Sequence, residues 1–379
     1  MKVLVIGNDP QIFDKNSETH MRVSEYADFF DSYHIISKTR RRVVPFNVGK
    51  LYLWPINFKY KLLWPLGAIL LGKKIAREQR IDIIDAQDPA ESGLAAWFIS
   101  RYLHIPLRIQ IHTDFFSPWY RRASWKEWMR YWLAIFLIPK ADCIRVVSER
   151  IKKSLLESGI RNQGLRIAVL PIFTDASKFV NAERDPAIDA RFHDYDFKMI
   201  AVGRFVDKEK NFSMLIEIMR EFIKICPRAL LVVVGDGPDL KNYKLQTTNY
   251  KLQKHVIIEP WRNDLPSFLK SFDLYVMPSN YEGWGRTAIE AMAAGLPVVM
   301  TDVGLAGEII KNGQNGIVVS VGDEKAFLRA VTGLYKNNGE RMRITDAAKK
   351  TAQKLEAISK SDYLARYREV LISCRTYSS

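Results

Sequence analysis

The chain has 379 residues, of which 47% are hydrophobic and 26% charged. These fractions are those of ordinary globular proteins, so they exclude the disordered, collagenous and fibrous classes. The length suits about two domains. Its 57 Lys and Arg against 42 Asp and Glu give a net charge of +15, of which residues 1–170 carry +11 and residues 171–379 carry +4. We therefore expect the first half to meet an anionic partner.

Short β-branched runs alternate with longer amphipathic stretches, a pattern that predicts parallel strands joined by crossover helices. In the first half, the predicted strands are residues 2–7, 33–37, 81–85, 107–111 and 143–147. In the second half, they are residues 198–203, 230–235, 255–258, 273–277, 297–301 and 316–319. A further helix is predicted over about 340–375. The predicted fold class is α/β, with two doubly wound, Rossmann-like domains that face each other across a cleft.

The boundary between the domains is expected within residues 172–197, where prolines and polar residues lack periodicity. The predicted division is a first domain over 1–175, a linker over 176–197, a second domain over 198–358 and a C-terminal helix over 359–379 that could pack back on the first domain. Three cysteines, Cys143, Cys226 and Cys374, lie far apart without metal-ligand spacing, which predicts reduced thiols in a cytoplasmic protein.

No targeting or membrane-spanning segment is expected. The apolar run at residues 2–7 is shorter than the core of a signal peptide. The longest apolar stretches, such as 132–138, fall short of the ~18 residues that span a bilayer. Whether the protein lies on a membrane surface stays open at this point.

The densest motif runs from Glu282 to Glu290 and is followed by a small-residue stretch that stops at Gly295. It reads as a glycine-bearing loop after a strand, then a helix over about 286–294. Gly283 and Gly285 would let backbone amides approach a ligand, and the helix start would offer unpaired N–H groups to an anion. Glu282 and Glu290 place a carboxylate at each end of this motif. Such an arrangement suits a ligand with hydroxyls on both sides of a diphosphate, such as a nucleotide sugar.

This motif resembles the signature of glycosyltransferase family 4, whose members are retaining nucleotide-sugar transferases of GT-B fold. Other landmarks of that family follow in order along nearly the whole chain. Gly203-Arg204-Phe205 with Lys210 resembles its basic phosphate loop, and Gly235-Asp236-Gly237 resembles its nucleotide loop.

The resemblance implies roles for individual residues. Arg204 and Lys210 would neutralise the leaving diphosphate, Glu282 would hold donor-sugar hydroxyls, and Glu290 would accept from the ribose. Lys208 could exchange roles with Lys210. His112, delivered by the predicted strand 107–111, would orient the attacking hydroxyl. The predicted donor-binding residues are Gly203, Gly235, Asp236, Gly237, Gly283, Trp284, Gly285, Arg286, Thr287 and Glu290. No metal ion or other cofactor is expected.

The basic excess of the first half is interleaved with aromatic residues. Residues 38–80 hold eleven basic side chains against one acid, and seven of the nine tryptophans precede residue 133. Such a mixture suits the headgroup layer of an anionic membrane, although core packing and polyanion binding are alternatives. The predicted membrane or acceptor residues are Arg40, Arg41, Arg42, Trp54, Lys59, Lys61, Trp64, Trp119, Arg121, Arg122, Trp125, Trp128 and Trp132.

The sequence therefore predicts a retaining glycosyltransferase. It would move a sugar from a nucleotide-diphosphate sugar to a lipid-linked or glycan acceptor at the cytosolic membrane face, in the synthesis of cell-surface polysaccharide, lipopolysaccharide or glycolipid. The predicted partners are the nucleotide sugar, that acceptor and an anionic membrane surface, without nucleic acid. The alternatives are another GT-B enzyme, such as a phosphorylase or a nucleotide-sugar epimerase, and a non-catalytic basic module that binds a membrane or a polyanion.

Overall fold

The computed structural model describes residues 1–57, 63–160, 165–356 and 359–374. The chain divides into two compact units. Unit 1 comprises Met1–Pro171 together with Lys360–Ser379, and unit 2 comprises Ile172–Ser359. The segment expected to be a linker, 176–197, thus lies in unit 2 and carries two short helices.

Unit 1 is built on one mostly parallel sheet. Its strands are β1 Lys2–Gly7, β2 Ser32–Lys38, β3 Phe46–Val48, β4 Leu51–Ile56, β5 Ile83–Ala86, β6 Leu107–Ile111, β7 Cys143–Val146 and β8 Arg166–Val169. The helices between them are α1 Glu18–Asp28, α2 Trp64–Gln79, α3 Glu91–Leu103, α4 Pro118–Ala123, α5 Trp125–Leu137 and α6 Glu149–Glu157, with 3₁₀ turns at Pro10–Phe13 and Ile138–Lys140. The strand order is β3-β4-β2-β1-β5-β6-β7-β8, in which the β3–β4 pair is antiparallel.

Unit 2 is built on a second sheet. Its strands are β9 Phe197–Val202, β10 Ala229–Val234, β11 Val256–Glu259, β12 Leu274–Met277, β13 Val298–Thr301 and β14 Ile317–Val319. Its helices are α7 Ser177–Val180, α8 Pro186–Arg191, α9 Asp207–Lys210, α10 Phe212–Phe222, α11 Leu240–Asn249, α12 Leu265–Leu269, α13 Arg286–Ala294, α14 Glu324–Lys336 and α15 Asn338–Glu356. The chain then returns to unit 1 with α16 Lys360–Ile372.

The sheet of unit 2 is parallel throughout and has the order β11-β10-β9-β12-β13-β14. Counted from β9, this is the 3-2-1-4-5-6 order of the doubly wound dinucleotide-binding fold. The strands are apolar along their length because helices cover both faces of such a sheet. The chain reverses its direction of winding between β9 and β12, and ligands of these folds bind outside the carboxyl ends of the strands at that point.

The structure confirms each predicted strand to within two residues at either end. Three strands were not predicted: β3, β4 and β8. The prediction of one helix over 340–375 is wrong, since the structure has α15 and α16, which belong to different units. Helical periodicity continues on both sides of the break. The chain passes from unit 2 to unit 1 at Lys360, next to the start of the C-terminal helix expected over 359–379.

The prediction of three reduced thiols is also wrong. Cys143, at the start of β7, forms a disulfide with Cys374, which follows α16. The two residues are 231 positions apart, but the return of α16 to unit 1 brings their Cα atoms to 5.5 Å. Cys226 is a buried free thiol.

Helix α16 is held in unit 1 by a buried polar cluster. The Arg108 guanidinium, fully buried on β6, donates to both carboxylate oxygens of Asp85 at 2.8 and 2.9 Å. It also donates to the hydroxyl of Tyr367 at 2.8 Å. Arg145 on β7 donates to the Tyr363 hydroxyl at 3.0 Å. Two tyrosines of α16 thus satisfy donors inside the first sheet, which fixes the helix on this unit.

Among the described residues, no helix combines the length and the apolar character needed to cross a bilayer.

Candidate active site

The two motif loops of unit 2 lie at neighbouring strand ends. Gly203 and Arg204 directly follow β9, and the loop that contains Glu282 follows β12. Strands β9 and β12 pair with each other at the reversal point of the sheet. The fold therefore brings together the segments that the sequence analysis selected, at the usual ligand position of a doubly wound sheet.

The loop after β9, which contains Gly203 and Arg204, is hydrogen-bonded to the chain at the end of β10 and in the loop that follows it. The Phe205 amide donates to the Asp236 carbonyl at 2.8 Å, and the Gly203 amide donates to the Val234 carbonyl at 3.0 Å. A Cβ atom on Gly235 would lie 1.9 Å from the carbonyl oxygen of Gly203. The close approach of these two loops therefore requires a residue without a side chain at position 235.

The loop after β12 ends in the helix start that the sequence predicted. Gly285 has φ 96°, in the region that favours glycine, and α13 begins at Arg286. Such a start leaves backbone N–H groups without intrahelical partners, and the helix dipole adds partial positive charge there. Tyr275, buried on β12, donates to the Thr287 hydroxyl at 2.6 Å and so holds the first turn of α13 on the strand.

Lys210 forms the electrostatic centre of the site. Its ammonium donates to Oε1 of Glu282, and its Nζ lies 3.1 Å from Oε1 of Glu209. Arg204 approaches the other side of Glu209, with Nη2 2.9 Å from Oε2. The Lys210 side chain is 14% exposed, whereas that of Arg204 is 67% exposed. Two cations and two carboxylates thus alternate along the mouth of the site, from solvent inward.

The charged forms of this cluster hold each other in place. Burial would lower the pKa of Lys210, but the Glu282 and Glu209 carboxylates outweigh burial and raise the pKa. Burial would raise the pKa of Glu209, but Lys210 and Arg204 outweigh it and lower the pKa. Lys210 is therefore an ammonium and Glu209 a carboxylate at neutral pH.

The second acid of the motif, Glu290, is buried on α13 and forms an ion pair with Arg286 one turn earlier, at 3.1 Å. Two nearby polar atoms are buried without a hydrogen-bond partner among the described residues, Nε1 of Trp284 and Nε of Arg286. The glycine loop and the start of α13 therefore hold donors that the described part of the chain leaves unused. Of two further predicted residues, Gly283 lies in this glycine loop and Gly237 lies in the loop after β10. The Gly237 amide donates to the Asp236 carboxylate at 2.7 Å.

The two candidate lysines lie in different environments. Lys210 contacts Glu282, whereas Lys208 is exposed and its backbone carbonyl accepts from Asn280. Sequence reasoning missed Glu209 and also Ser279, whose hydroxyl donates to Glu282 at 3.0 Å. The acid between two lysines in 207–210 was a visible signal for Glu209. Ser279 gave none, because a serine after a strand is common.

His112 follows β6 in unit 1, as predicted. Burial lowers the pKa of its imidazole to about 3, with further contributions from Arg145, Arg22 and Arg108. The ring is therefore neutral at pH 7. A neutral imidazole can orient a hydroxyl by hydrogen bonding, but it is a weak base at this pKa.

The predicted membrane or acceptor residues fall into different environments. Trp64 is buried at the start of α2, so it does not belong to an exposed surface. Trp54 is partly buried on β4 and donates to Nδ1 of His34 at 3.3 Å, a contact within the sheet. Lys59 and Lys61 lie outside the described residues. The exposed members are Arg40, Arg41, Arg42, Trp119, Arg121, Arg122, Trp125, Trp128 and Trp132.

Among residues 1–57, 63–160, 165–356 and 359–374, no group of three or more His, Cys, Asp or Glu side chains is placed as a metal site would require.

Two family models match the chain, one in each half. Residues 29–178 match the model described as Glycosyltransferase Family 4, and residues 187–351 match the model described as Glycosyl transferases group 1.

Curated relatives match over most of their own length. The Escherichia coli UDP-Gal:alpha-D-GlcNAc-diphosphoundecaprenol alpha-1,3-galactosyltransferase is 26% identical, over 71% of this chain and 70% of the relative. The lipopolysaccharide core biosynthesis glycosyltransferase LpsE of Rhizobium meliloti is 27% identical, over 76% of each chain.

Solved structures show the same fold at low sequence identity. Anabaena HepE, solved in complex with UDP and glucose, superposes with a TM-score of 0.76 at 17% identity, covering 98% of this chain and 100% of HepE. The sucrose-phosphate synthase of Thermosynechococcus elongatus superposes with a TM-score of 0.80 at 16% identity, covering 98% of this chain and 99% of the synthase. With both halves matched by family models, the chain belongs to the family 4 glycosyltransferases, enzymes of GT-B fold.

Proposed function

We propose that this enzyme transfers a sugar, with retention at the anomeric carbon, from a nucleoside-diphosphate sugar to a lipid-linked or glycan acceptor at the inner face of the cell membrane. The observation that carries the proposal is the ion-pair cluster of Lys210, Glu282, Glu209 and Arg204 at the reversal point of the second sheet. A mostly buried lysine and a mostly exposed arginine beside a glycine loop and a helix start suit a diphosphate, and carboxylates beside them suit sugar hydroxyls.

The names of similar proteins support this donor and acceptor class. HepE is described in complexes with UDP, with UDP and glucose, and with UDP-glucose. The Escherichia coli relative is named for a UDP-galactose donor and a diphosphoundecaprenol-linked acceptor. Other relatives are named for lipopolysaccharide core and capsular polysaccharide synthesis. We therefore propose a role in the synthesis of a cell-surface polysaccharide, lipopolysaccharide or glycolipid.

In the proposed reaction, the bond between the anomeric carbon and the diphosphate oxygen breaks, and its electron pair stays on the leaving diphosphate. The acceptor hydroxyl oxygen forms the new bond on the same face of the sugar, and its proton passes to the leaving phosphate. Arg204 and Lys210 would stabilise the charge that develops on the diphosphate, where fixed cations contribute most to lowering the barrier. The proposal includes no metal ion, because these two side chains supply the positive charge.

The free enzyme already neutralises Lys210 with Glu282 and Glu209. We propose that the donor diphosphate takes the place of Glu282 as a partner of Lys210, which leaves the Glu282 carboxylate free to accept from sugar hydroxyls. Glu290 would accept from the ribose, and neutral His112 of unit 1 would orient the acceptor hydroxyl.

The test uses donor turnover without a known acceptor. The enzyme is incubated with UDP-glucose, UDP-galactose, UDP-N-acetylglucosamine and GDP-mannose, and released sugar is followed by proton NMR, with cell-envelope lipids added in a parallel series. A retaining enzyme releases the donor's own anomer first, and lipid extract increases turnover. No turnover of any donor, or first release of the opposite anomer, would refute the corresponding part of the proposal.

Variants of the acidic pair test the residue assignment. Glu282→Gln should lower kcat by at least about 100-fold, because an interaction made to the reacting sugar contributes on the order of 3 kcal/mol to the transition state. Glu290→Gln should chiefly raise KM for the donor. Glu324→Gln, an exposed position on α14, is the control and should leave both constants unchanged.

A further inference from the structure

The large apolar side chains exposed on the described part of the chain are concentrated on one group of helices. Eleven of twenty lie on α2–α5 or at the residue before α2. They are Leu63, Leu66, Leu70, Phe98, Tyr102, Trp119, Trp125, Trp128, Met129, Trp132 and Phe136. We call the helices α2, α3, α4 and α5 the aromatic-basic layer. Exposed apolar side chains that are concentrated on one group of helices, rather than scattered singly, indicate an interaction site.

Helix α5 presents its apolar stripe to solvent. Trp125, Trp128, Trp132 and Phe136 recur at helical spacing and are 64%, 53%, 53% and 49% exposed. The side of the helix that packs into unit 1 carries Glu127, Ala134 and Leu137. A helix of a soluble domain normally turns its apolar stripe to the core. Here the three tryptophans and the phenylalanine leave about half or more of their surface to solvent.

Aromatic rings of α3 and α5 contact one another. Helix α3 contacts both α2 and α5. The Phe136 ring of α5 meets Trp97 of α3 edge-on at 5.7 Å between centroids, and Trp97 lies 4.8 Å from the Phe98 ring. Lys140 lies over Phe136 at 4.3 Å, and Lys73 lies over Tyr102 at 3.8 Å. Cations therefore border the aromatic surface at both of these places.

The charge of the layer is strongly positive. Its helices carry eight Lys and Arg side chains against three Glu. Each of the three acids has a cation beside it: Glu78 lies 3.9 Å from Lys74, and Glu91 and Glu127 lie 2.7 and 3.6 Å from Arg130. An isologous contact with a second copy would place this positive surface against itself, which disfavours a dimer through the layer.

A cavity of about 250 Å³ opens between α4 and α5 and is lined by Arg121, Arg122, Trp128, Tyr131 and Trp132. The Arg121 guanidinium lies 5.0 Å from the centre of the Tyr131 ring. Two exposed arginines above aromatic walls match a phosphate ester that carries an apolar tail, because guanidinium groups bind phosphate and the rings contact hydrocarbon.

We propose that the aromatic-basic layer docks this enzyme on bilayers that contain anionic phospholipids. The rings of α5 lie at the boundary between headgroups and acyl chains, and the cavity between α4 and α5 takes a lipid phosphate. The docking proposal rests on the proposed function. It identifies the surface of the enzyme that would contact the membrane. It assigns the contact to α2–α5 and not to Trp54 or Trp64, which unit 1 uses internally.

The test is co-sedimentation of the full chain with vesicles of phosphatidylcholine, with and without phosphatidylglycerol, at low and high salt. The wild type should bind the anionic vesicles, and salt should weaken binding because it screens exposed charges. Arg121→Ser with Arg122→Ser should weaken binding by at least about tenfold, since each basic residue near the surface contributes a factor of about five. Trp128→Ser with Trp132→Ser should weaken it at both salt concentrations.

Matched controls come from exposed positions of unit 2. Trp261→Ser removes an exposed tryptophan, and Lys241→Ser with Lys244→Ser removes two exposed cations of α11. These variants should bind vesicles as the wild type does. Wild type that stays in the supernatant, or controls that lose as much binding as the layer variants, would overturn the docking. So would a wild-type dimer, without vesicles, that Trp128→Ser with Trp132→Ser converts to a monomer.

Donor turnover separates this proposal from the proposed function. The layer variants should release sugar from a soluble donor at the wild-type rate, which also shows that they fold. Vesicle binding without any donor turnover would leave the docking intact and refute the transferase proposal. Donor turnover without vesicle binding would leave the transferase proposal intact and refute the docking.

Discussion

Under the proposed function, the local environment of Lys210 would let one lysine serve both an empty and an occupied donor site. The ammonium is mostly buried, and two carboxylates compensate the cost of its burial. A diphosphate bound there would offer Lys210 another anionic partner, so Lys210 would not have to be desolvated again when the donor binds. The cost of burying the cation would then be met during folding, and donor binding would replace one anionic partner with another.

His112 and the exposed His193 allow a matched test at the same scale. Burial lowers the pKa of His112 to about 3, below the value of about 6.5 expected in the unfolded chain. Between these pH values the unfolded state binds more protons, so the free energy of unfolding falls as pH drops below 6.5. His112→Gln should make this loss smaller, whereas His193→Gln should not. Urea unfolding at pH 7 and at pH 5 measures the loss of unfolding free energy. An equal loss in wild type and in His112→Gln would contradict the assigned environment of His112.

The sequence predicted the cations and acids of the site but not their partners. Arg204 and Lys210 were assigned through the resemblance to the family's basic phosphate loop. Glu282 and Glu290 were selected because they flank the glycine-bearing loop and the predicted helix start. The contact of Glu209 with both cations depends on the short helix α9 and on side-chain rotamers. Neither leaves a periodic signal in the sequence.

At the scale of elements, the strand–loop–helix units of unit 2 were predictable because each joins a β-branched run to a glycine and an amphipathic stretch. Helix α13 begins and ends at the predicted residues because Gly285 and Gly295 flank it in left-handed conformations. Strands β3 and β4 were missed because their segment mixes aromatic and basic residues and includes Pro55. That composition indicated a surface, whereas β4 lies beside β2 inside the sheet.

Gly235 and Gly333 provide a matched pair of glycine-to-alanine changes. A Cβ at 235 would overlap the Gly203 carbonyl, whereas a Cβ at 333, on α14, meets nothing within 4 Å. Gly235→Ala should destabilise the protein by on the order of 3 kcal/mol and weaken nucleotide binding, because the two loops must separate. Gly333→Ala should stabilise it by up to about 1 kcal/mol. Urea unfolding midpoints measure both, and a neutral Gly235→Ala would show that the loops are not packed as described.

At the scale of the whole molecule, the chain leaves unit 1, builds unit 2 and returns through α16. The sequence analysis allowed for a C-terminal helix that packs back on the first domain, but not for its contacts. The partners of Tyr363 and Tyr367 are charged residues inside distant strands, Arg145 and Arg108. In a sequence, an arginine that is buried in a strand cannot be told from one at the surface. Only the folded sheet shows that hydroxyls of the C-terminal helix accept hydrogen bonds from these arginines.

The disulfide between Cys143 and Cys374 adds a covalent link at this return. Dithiothreitol, or Cys143→Ser with Cys374→Ser, should lower the free energy of unfolding by about 3 to 5 kcal/mol, because the closed loop is long. The Cys226→Ala variant should keep the wild-type response to reductant. Melting temperatures with and without reductant test this, together with thiol counting by mass spectrometry. Three free thiols in the oxidised protein, or no effect of reductant, would contradict the link.

The proposed donor site makes a direct claim, namely that the ion-pair cluster of unit 2 binds a nucleoside diphosphate. Isothermal titration calorimetry of UDP, GDP and ADP against wild type, Lys210→Ala and Lys325→Ala tests it most directly, since Lys325 is exposed on α14. We predict that one diphosphate binds to wild type and to Lys325→Ala with equal affinity. Lys210→Ala should bind it about 10- to 100-fold more weakly, as expected when a charged hydrogen-bond donor is lost. No binding of any nucleotide to wild type, or unchanged binding to Lys210→Ala, would contradict the claim.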